Sequence, residues 1–139
     1  MSAEPEIDIL LVEDNPNDAE LTQRALRKAD LGARLAIARD GAEAIEYLFG
    51  SGPRPKVIFL DLKLPKIDGV EVLRRLRADS RTRAIPVVVL TSSQEERDID
   101  ECYKLCVNSY IVKPVEFDQF FRTVNDVGRY WLMLNKSPL

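Results

Sequence analysis

Four short aliphatic runs in this chain each stop on a polar residue able to do chemistry, and that punctuation constrains the fold more than any other feature. Residues 7–12 (IDILLV) stop at Glu13-Asp14, 57–60 (VIFL) at Asp61, 87–90 (VVVL) at Thr91, and 109–112 (SYIV) at Lys113. Short runs rich in Val, Ile and Leu read as strands, and near-continuous apolar ones as strands buried on both faces of a parallel sheet. A further run, 33–38 (ARLAIA), supplies a fifth strand. Asn15-Pro16 opens a helix, because a proline in the first turn lacks only an N–H that has no partner there. That helix is expected to reach about Asp30 and to end at Gly32. Others are predicted from Asp40-Gly41 to about Phe49 and over 70–79, with Val72, Leu73 and Leu76 on one face. A fourth carries Ile99, Cys102, Tyr103 and Cys106 at i, i+3, i+4 and i+7, and the last runs from near Glu116 into the 130s. Residues 50–55 (GSGPRP) are loop by composition.

Five strand–helix units joined by right-handed crossovers give an α/β fold, a doubly wound open parallel sheet with helices on both faces. Residues 1–139 are read as one domain, with about 128–139 as a C-terminal helix extension. In such sheets ligands bind beyond the carboxyl ends of the strands. Glu13, Asp14, Asp61, Thr91 and Lys113 are therefore expected at one rim.

The chain contains no histidine. That excludes histidine-based nucleophilic triads, histidine-ligated zinc and any phosphohistidine carried by the chain itself. Glu13, Asp14 and Asp61 in one pocket repel one another and need a cation or a shared proton. Hard oxygen ligands without histidine or cysteine select Mg²⁺. Asp61, at the tip of a buried strand, is placed to attack phosphorus in line and become an acyl phosphate. The metal and Lys113 would neutralise the transferring phosphoryl group, and Thr91 could hydrogen-bond one of its oxygens. Each residue alone has a plainer role: a cap for Asp, a β-former for Thr, an exposed charge for Lys. Their conjunction after four separate strands carries the functional reading.

The segments LLVEDNPND (10–18), IFLDLKLPKIDGVEVL (58–73), IPVVVLTSS (85–93) and YIVKP (110–114) resemble the receiver domains of two-component response regulators, from residue 7 to about 127. The resemblance implies a flavodoxin-like sheet of strand order 2-1-3-4-5. It implies Asp61 as the acceptor of a phosphoryl group from a sensor histidine kinase, and Glu13 and Asp14 as the acid pocket. Mg²⁺ would sit on Asp14, Asp61 and the Lys63 backbone carbonyl. Thr91 would be the switch hydroxyl, Tyr110 the aromatic whose rotamer reports activation, and Lys113 the contact to the phosphoryl group. The Lys113–Pro114 bond is expected to be cis. Such a domain is not an enzyme in the ordinary sense. It catalyses its own phosphorylation and dephosphorylation, and signals by conformational change and protein binding. The loop PRP (53–55) and the stretches SSQEERDI (92–99) and DVGRYWL (126–132) further resemble regulators paired with bacterial or cyanobacterial phytochromes. The alternative is an aspartyl-phosphate phosphohydrolase. Those enzymes resemble Asp-x-Asp, and Lys63 stands where the second aspartate would act as acid/base. About a dozen residues follow the resembling segment, so a DNA-binding output domain is not expected.

The remaining features point to packing and surface. A net charge of −3 argues against nucleic acid or an anionic membrane as partner. No apolar run approaches the ~18 residues needed to span a bilayer. The acidic start MSAEPEID does not read as a signal peptide, and two cysteines fit a reducing cytoplasm. Cys102 and Cys106 read as core or interface packing rather than a metal pair. Arg74, Arg75, Arg77, Arg81 and Arg83 read as a solvated helix face and loop, and Gly50-Ser51-Gly52 lacks the ending of a phosphate loop. On the last helix, Phe117, Phe120, Val124, Val127, Trp131 and Leu134 form one stripe expected against the sheet. Tyr130, Leu132 and Met133 point elsewhere, so Tyr130, Trp131, Leu132, Met133 and Leu134 are apolar all round. A homodimer built on that end is expected, with Tyr103 and Cys106 able to join the surface.

Overall fold

A computed structural model of the chain describes residues 7–29 and 33–136. Strands β1 (Ile9–Val12), β2 (Leu35–Ala38), β3 (Val57–Leu60), β4 (Val87–Thr91) and β5 (Ser109–Val112) alternate with five helices. The helices are α1 (Pro16–Lys28), α2 (Gly41–Phe49), α3 (Gly69–Ala78), α4 (Glu96–Lys104) and α5 (Phe117–Arg129). The strands form one parallel sheet in the order β2-β1-β3-β4-β5, as expected. Helix α1 ends at Lys28, two residues before its predicted end, and the stop assigned to Gly32 lies outside the described residues.

Because successive strand residues face opposite sides, the sheet splits its aliphatic residues between two cores. Leu10, Val12, Ile58, Leu60, Val87 and Val89 pack with Leu48 of α2, Leu73 and Leu76 of α3, and Cys102 of α4. Ile9, Leu11, Val57, Phe59, Val88 and Leu90 pack with Ala25 and Leu26 of α1 and with Phe120 and Val124 of α5. The helix starts are set by side-chain caps. Asn15, Asp40 and Asp68 each accept backbone N–H bonds at the heads of α1, α2 and α3.

Four expectations need correction. Cys106 is not on the α4 stripe. The helix ends before it, Cys106 takes a left-handed φ of 59° and is exposed, and only Cys102 is buried. The Cys106 N–H donates to the Tyr103 carbonyl and the Val107 N–H to the Cys102 carbonyl. This paired closure satisfies the last carbonyls of α4 and swings Val107 in beside Cys102.

Arg77 is not a solvated charge. Its guanidinium donates to the carbonyls of Arg83, Ile85, Leu105 and Cys106 and to Asn108 Oδ1, tying the end of α3 to the end of α4 and the entry to β5.

The C-terminal stripe is also redrawn. Phe117 is 52% exposed and Leu134 76%, whereas Trp131 and Leu132 both pack against the core. Residues Tyr130–Leu134 form a π-helical turn, closed by Asn135 N–H on the Tyr130 carbonyl. The wider turn carries each residue a smaller angle around the axis, which brings Leu132 inward and leaves Leu134 outside.

Finally, the Lys113–Pro114 bond is trans, and no cis peptide occurs among the described residues. An X–Pro bond favours trans by ~0.5–1 kcal/mol. The Lys113 N–H donates to the Thr91 carbonyl at 2.7 Å, and Val115, beyond the proline, is exposed.

Candidate functional site

The carboxyl ends of β1, β3, β4 and β5 deliver Glu13, Asp14, Asp61, Thr91 and Lys113 to one rim. The Asp61 N–H continues the β1–β3 ladder by donating to the Val12 carbonyl at 3.0 Å, which seats its side chain beside the end of β1. Glu13 and Asp61 are buried and Asp14 is exposed, and one oxygen from each lies within 4.8 Å of the other two. These are hard oxygen donors of the kind a small divalent cation takes, and drawing them to ligand distances of about 2.0–2.1 Å needs only a small inward shift.

The Lys113 ammonium reaches across the rim. It donates to Glu13 Oε1 at 2.6 Å, Asp18 Oδ2 at 2.9 Å and Asp61 Oδ2 at 3.0 Å, with its side chain 10% exposed. Burial disfavours that charge. The hydrogen bond to Glu13 and the negative charges of Asp61 and Glu13 outweigh burial, holding Lys113 above lysine's ordinary range. Burial is also the main influence on Glu13. With Asp61 nearby, it pushes the carboxyl up to about 7 against the pull of Lys113. The pocket thus holds more carboxylate than one ammonium can balance.

Thr91 is fully buried at the end of β4, and the Ser93 N–H points at its hydroxyl at 3.4 Å. The Tyr110 hydroxyl donates to the Ser93 carbonyl at 2.9 Å, and the Ser93 hydroxyl donates to Asp98 Oδ2 at 2.6 Å. One short loop therefore joins the strand-end threonine, the β5 tyrosine and the first turns of α4.

Two glycines hold the loop after Asp61. The Gly69 N–H donates to the Leu62 carbonyl, and a Cβ there would lie 2.3 Å from the Asp61 carbonyl oxygen. The Gly41 N–H donates to the Pro65 carbonyl, and a Cβ there would meet Ile67 backbone at 1.7 Å. Close approach, rather than unusual φ, requires glycine at both positions. Within that loop the Lys63 N–H donates to Asp61 Oδ1 at 3.3 Å. An open cleft of about 600 Å³ leads away past Asp14, Lys63 and Asp98.

The rim gathers every strand-end residue expected there. Tyr110 stands behind it on β5, and residues 130–134 lie on the C-terminal helix extension. Sequence reasoning missed Asp18. Its signal was available, because a helix opening at Asn15-Pro16 puts residue 18 in the first turn, next to the rim.

Residues 9–125 match the family described as response regulator receiver domain. A relative named probable methanogenesis regulatory protein FilR2, from Methanothrix harundinacea (strain 6Ac), is 44% identical over 99% of this chain and 92% of its own length. The solved structure of the phosphorylated cyanobacterial phytochrome response regulator RcpA has a TM-score of 0.91 at 40% identity, covering 97% of this chain and 100% of that one. The bacteriophytochrome response regulator AtBRR has a TM-score of 0.72 at 51% identity, covering 95% and 100%.

Proposed function

This chain belongs to the response regulator receiver domain family, and from that membership we propose how its rim works. Asp61 is the phosphoacceptor. One carboxylate oxygen attacks the phosphorus of a phosphohistidine on a sensor histidine kinase. The P–N bond breaks, and the imidazole leaves with the electron pair and takes up a proton. The observation that carries this reading is the Lys113 ammonium within 3.0 Å of Asp61 in a pocket of otherwise negative charge. A fixed cation at that point favours the anionic transition state of phosphoryl transfer.

Asp14 and Asp61, with the Lys63 carbonyl, would hold Mg²⁺, and Glu13 would complete the acid pocket. The bound ion would supply charge neutralisation for the phosphoryl oxygens. Thr91 offers its hydroxyl to one of those oxygens. Its movement draws on the loop that holds the Tyr110 hydroxyl, so the phosphorylated and resting states differ at β5 and α4. Each state is populated according to the contacts it makes with the new group. Output is binding to a protein, not turnover of a substrate. Lys63 in place of a second aspartate leaves a phosphohydrolase reading without its acid/base.

Likeness to RcpA and AtBRR supports a bacteriophytochrome kinase as donor. That pairing supports a cytoplasmic location. No helix among the described residues is long and apolar enough to cross a membrane. Tyr130 at 47%, Met133 at 63% and Leu134 at 76% exposure support a homodimer on the end of the last helix. Trp131 and Leu132 contribute from its packed side. Met133→Glu with Leu134→Glu, which spares the core contacts of Trp131 and Leu132, should convert dimer to monomer in light scattering. A parent protein already monomeric refutes the dimer.

The acceptor is tested by Asp61→Asn, which keeps shape and removes the nucleophile. Labelling by acetyl phosphate with Mg²⁺ should vanish while the unfolding midpoint holds or rises. Full stoichiometric labelling of that variant would overturn the assignment.

A further inference from the structure

We propose that Asp18, in the first turn of α1, is a positioning residue for phosphoryl transfer, anchoring the Lys113 ammonium while that ammonium's other partners change. This rests on the reading of Asp61 as acceptor. An ammonium has three N–H donors, and here three carboxylates take them: Glu13 at 2.6 Å, Asp18 at 2.9 Å and Asp61 at 3.0 Å. Two of these acceptors belong to the reacting pocket. Asp61 loses its carboxylate charge when it is phosphorylated, and Glu13 belongs to the acidic trio that would face the metal. Asp18 stands outside that trio and takes no part in the bond changes.

Asp18 is also held stiffly. The Asn15 side chain accepts the N–H groups of Asn17 at 2.9 Å and Asp18 at 3.2 Å, fixing the first turn. The Thr22 hydroxyl donates to the Asp18 carbonyl at 2.8 Å. A lysine side chain is a flexible four-carbon stem. Tying its tip to a capped helix turn restricts where the charge can sit when the phosphoryl group arrives.

Asp18 could instead act only as a fixed negative charge that repels anionic donors. The two roles separate kinetically. Loss of an anchor lowers the maximal rate of phosphorylation. Loss of a repelling charge lowers the donor concentration for half-saturation and leaves the maximal rate alone.

The experiment titrates acetyl phosphate, with Mg²⁺, against the full chain and follows the phosphorylated fraction by intact mass. Asp18→Ala should lower the maximal rate roughly three- to tenfold, as expected for a charged hydrogen bond that is partly open to solvent. Half-saturation should not rise. Asp18→Asn, which keeps a neutral acceptor and the shape of the turn, should fall between Asp18→Ala and the parent. In a Lys113→Ala background the same Asp18→Ala change should have an effect below roughly twofold, because the residue through which it acts is gone. An unchanged maximal rate, or an equal loss with and without Lys113, overturns the proposal. A parent chain that takes no label refutes the acceptor reading itself, whereas a labelled parent matched by Asp18→Ala refutes only the anchor.

Discussion

Gly69→Ala tests whether the backbone beneath the acceptor is as tightly packed as its geometry requires. The added Cβ would stand 2.3 Å from the Asp61 carbonyl oxygen, 2.6 Å from Leu62 Cα and 3.1 Å from the Asp61 carbonyl carbon. Ordinary contacts between such atoms are near 3.5 Å, so the chain must part by roughly 1 Å. The obstructing atoms are main chain, so no rotamer change relieves them. Overpacking of this kind costs about 1–3 kcal/mol. Alanine's advantage over glycine in a helix returns up to about 1 kcal/mol, and a net loss of about 1–2 kcal/mol is expected. Function should suffer more than stability, because the displaced backbone belongs to the acceptor. A misplacement of about 1 Å lowers a well-oriented rate on the order of a hundredfold. Gly52→Ala is the control, since no atom lies within 4 Å of its added Cβ. Urea unfolding midpoints and initial rates of labelling by acetyl phosphate should separate the two variants on both axes. Parental midpoint and rate in Gly69→Ala would refute the packing reasoning.

Arg77→Met removes the donor for four backbone carbonyls and Asn108 Oδ1. The expected loss is about 2–4 kcal/mol in urea unfolding, with faster hydrogen exchange at the end of α4. Cys106→Gly relieves a left-handed side-chain position at the α4 terminus and should stabilise by up to about 1 kcal/mol, read from the same midpoints. A pH prediction follows from Glu13, whose carboxyl is raised from its ordinary 4.5 to about 7 by burial. Between those values the folded protein binds more protons than the unfolded chain, so metal-free stability should fall as pH rises from about 4.5 to about 7. With no histidine in the chain, no other side chain ordinarily titrates across most of that window. Glu13→Gln should flatten the slope, and a slope unchanged in that variant would disprove the assignment.

The strands and their terminators were readable from the chain because strand pairing in a doubly wound sheet needs only short aliphatic runs. The residue that ends each run then has one place to go. Val57 to Leu60 followed by Asp61, and Val87 to Leu90 followed by Thr91, are local patterns with a global consequence. The helix starts at Asn15, Asp40 and Asp68 were similarly local, since a cap and its N–H partners lie within three residues. The resemblance of these same segments to receiver domains added residue roles that spacing alone does not supply.

What only the tertiary structure decided are contacts between residues distant in sequence and departures from ideal helical phase. Lys113 finds Asp18 across 95 positions, and Arg77 finds Leu105 across 28. A cation in a sequence carries no mark of which carboxylates or carbonyls will surround it. Cys106 matched a helical period and still left the helix, because the paired closure of α4 satisfies its terminal carbonyls and buries Val107. Leu132 and Leu134 exchanged expected sides because a single π-helical turn changes the angle between successive residues. Periodicity assumes one winding throughout, and the last turn here departs from it, with Trp131 and Leu132 packed against the core.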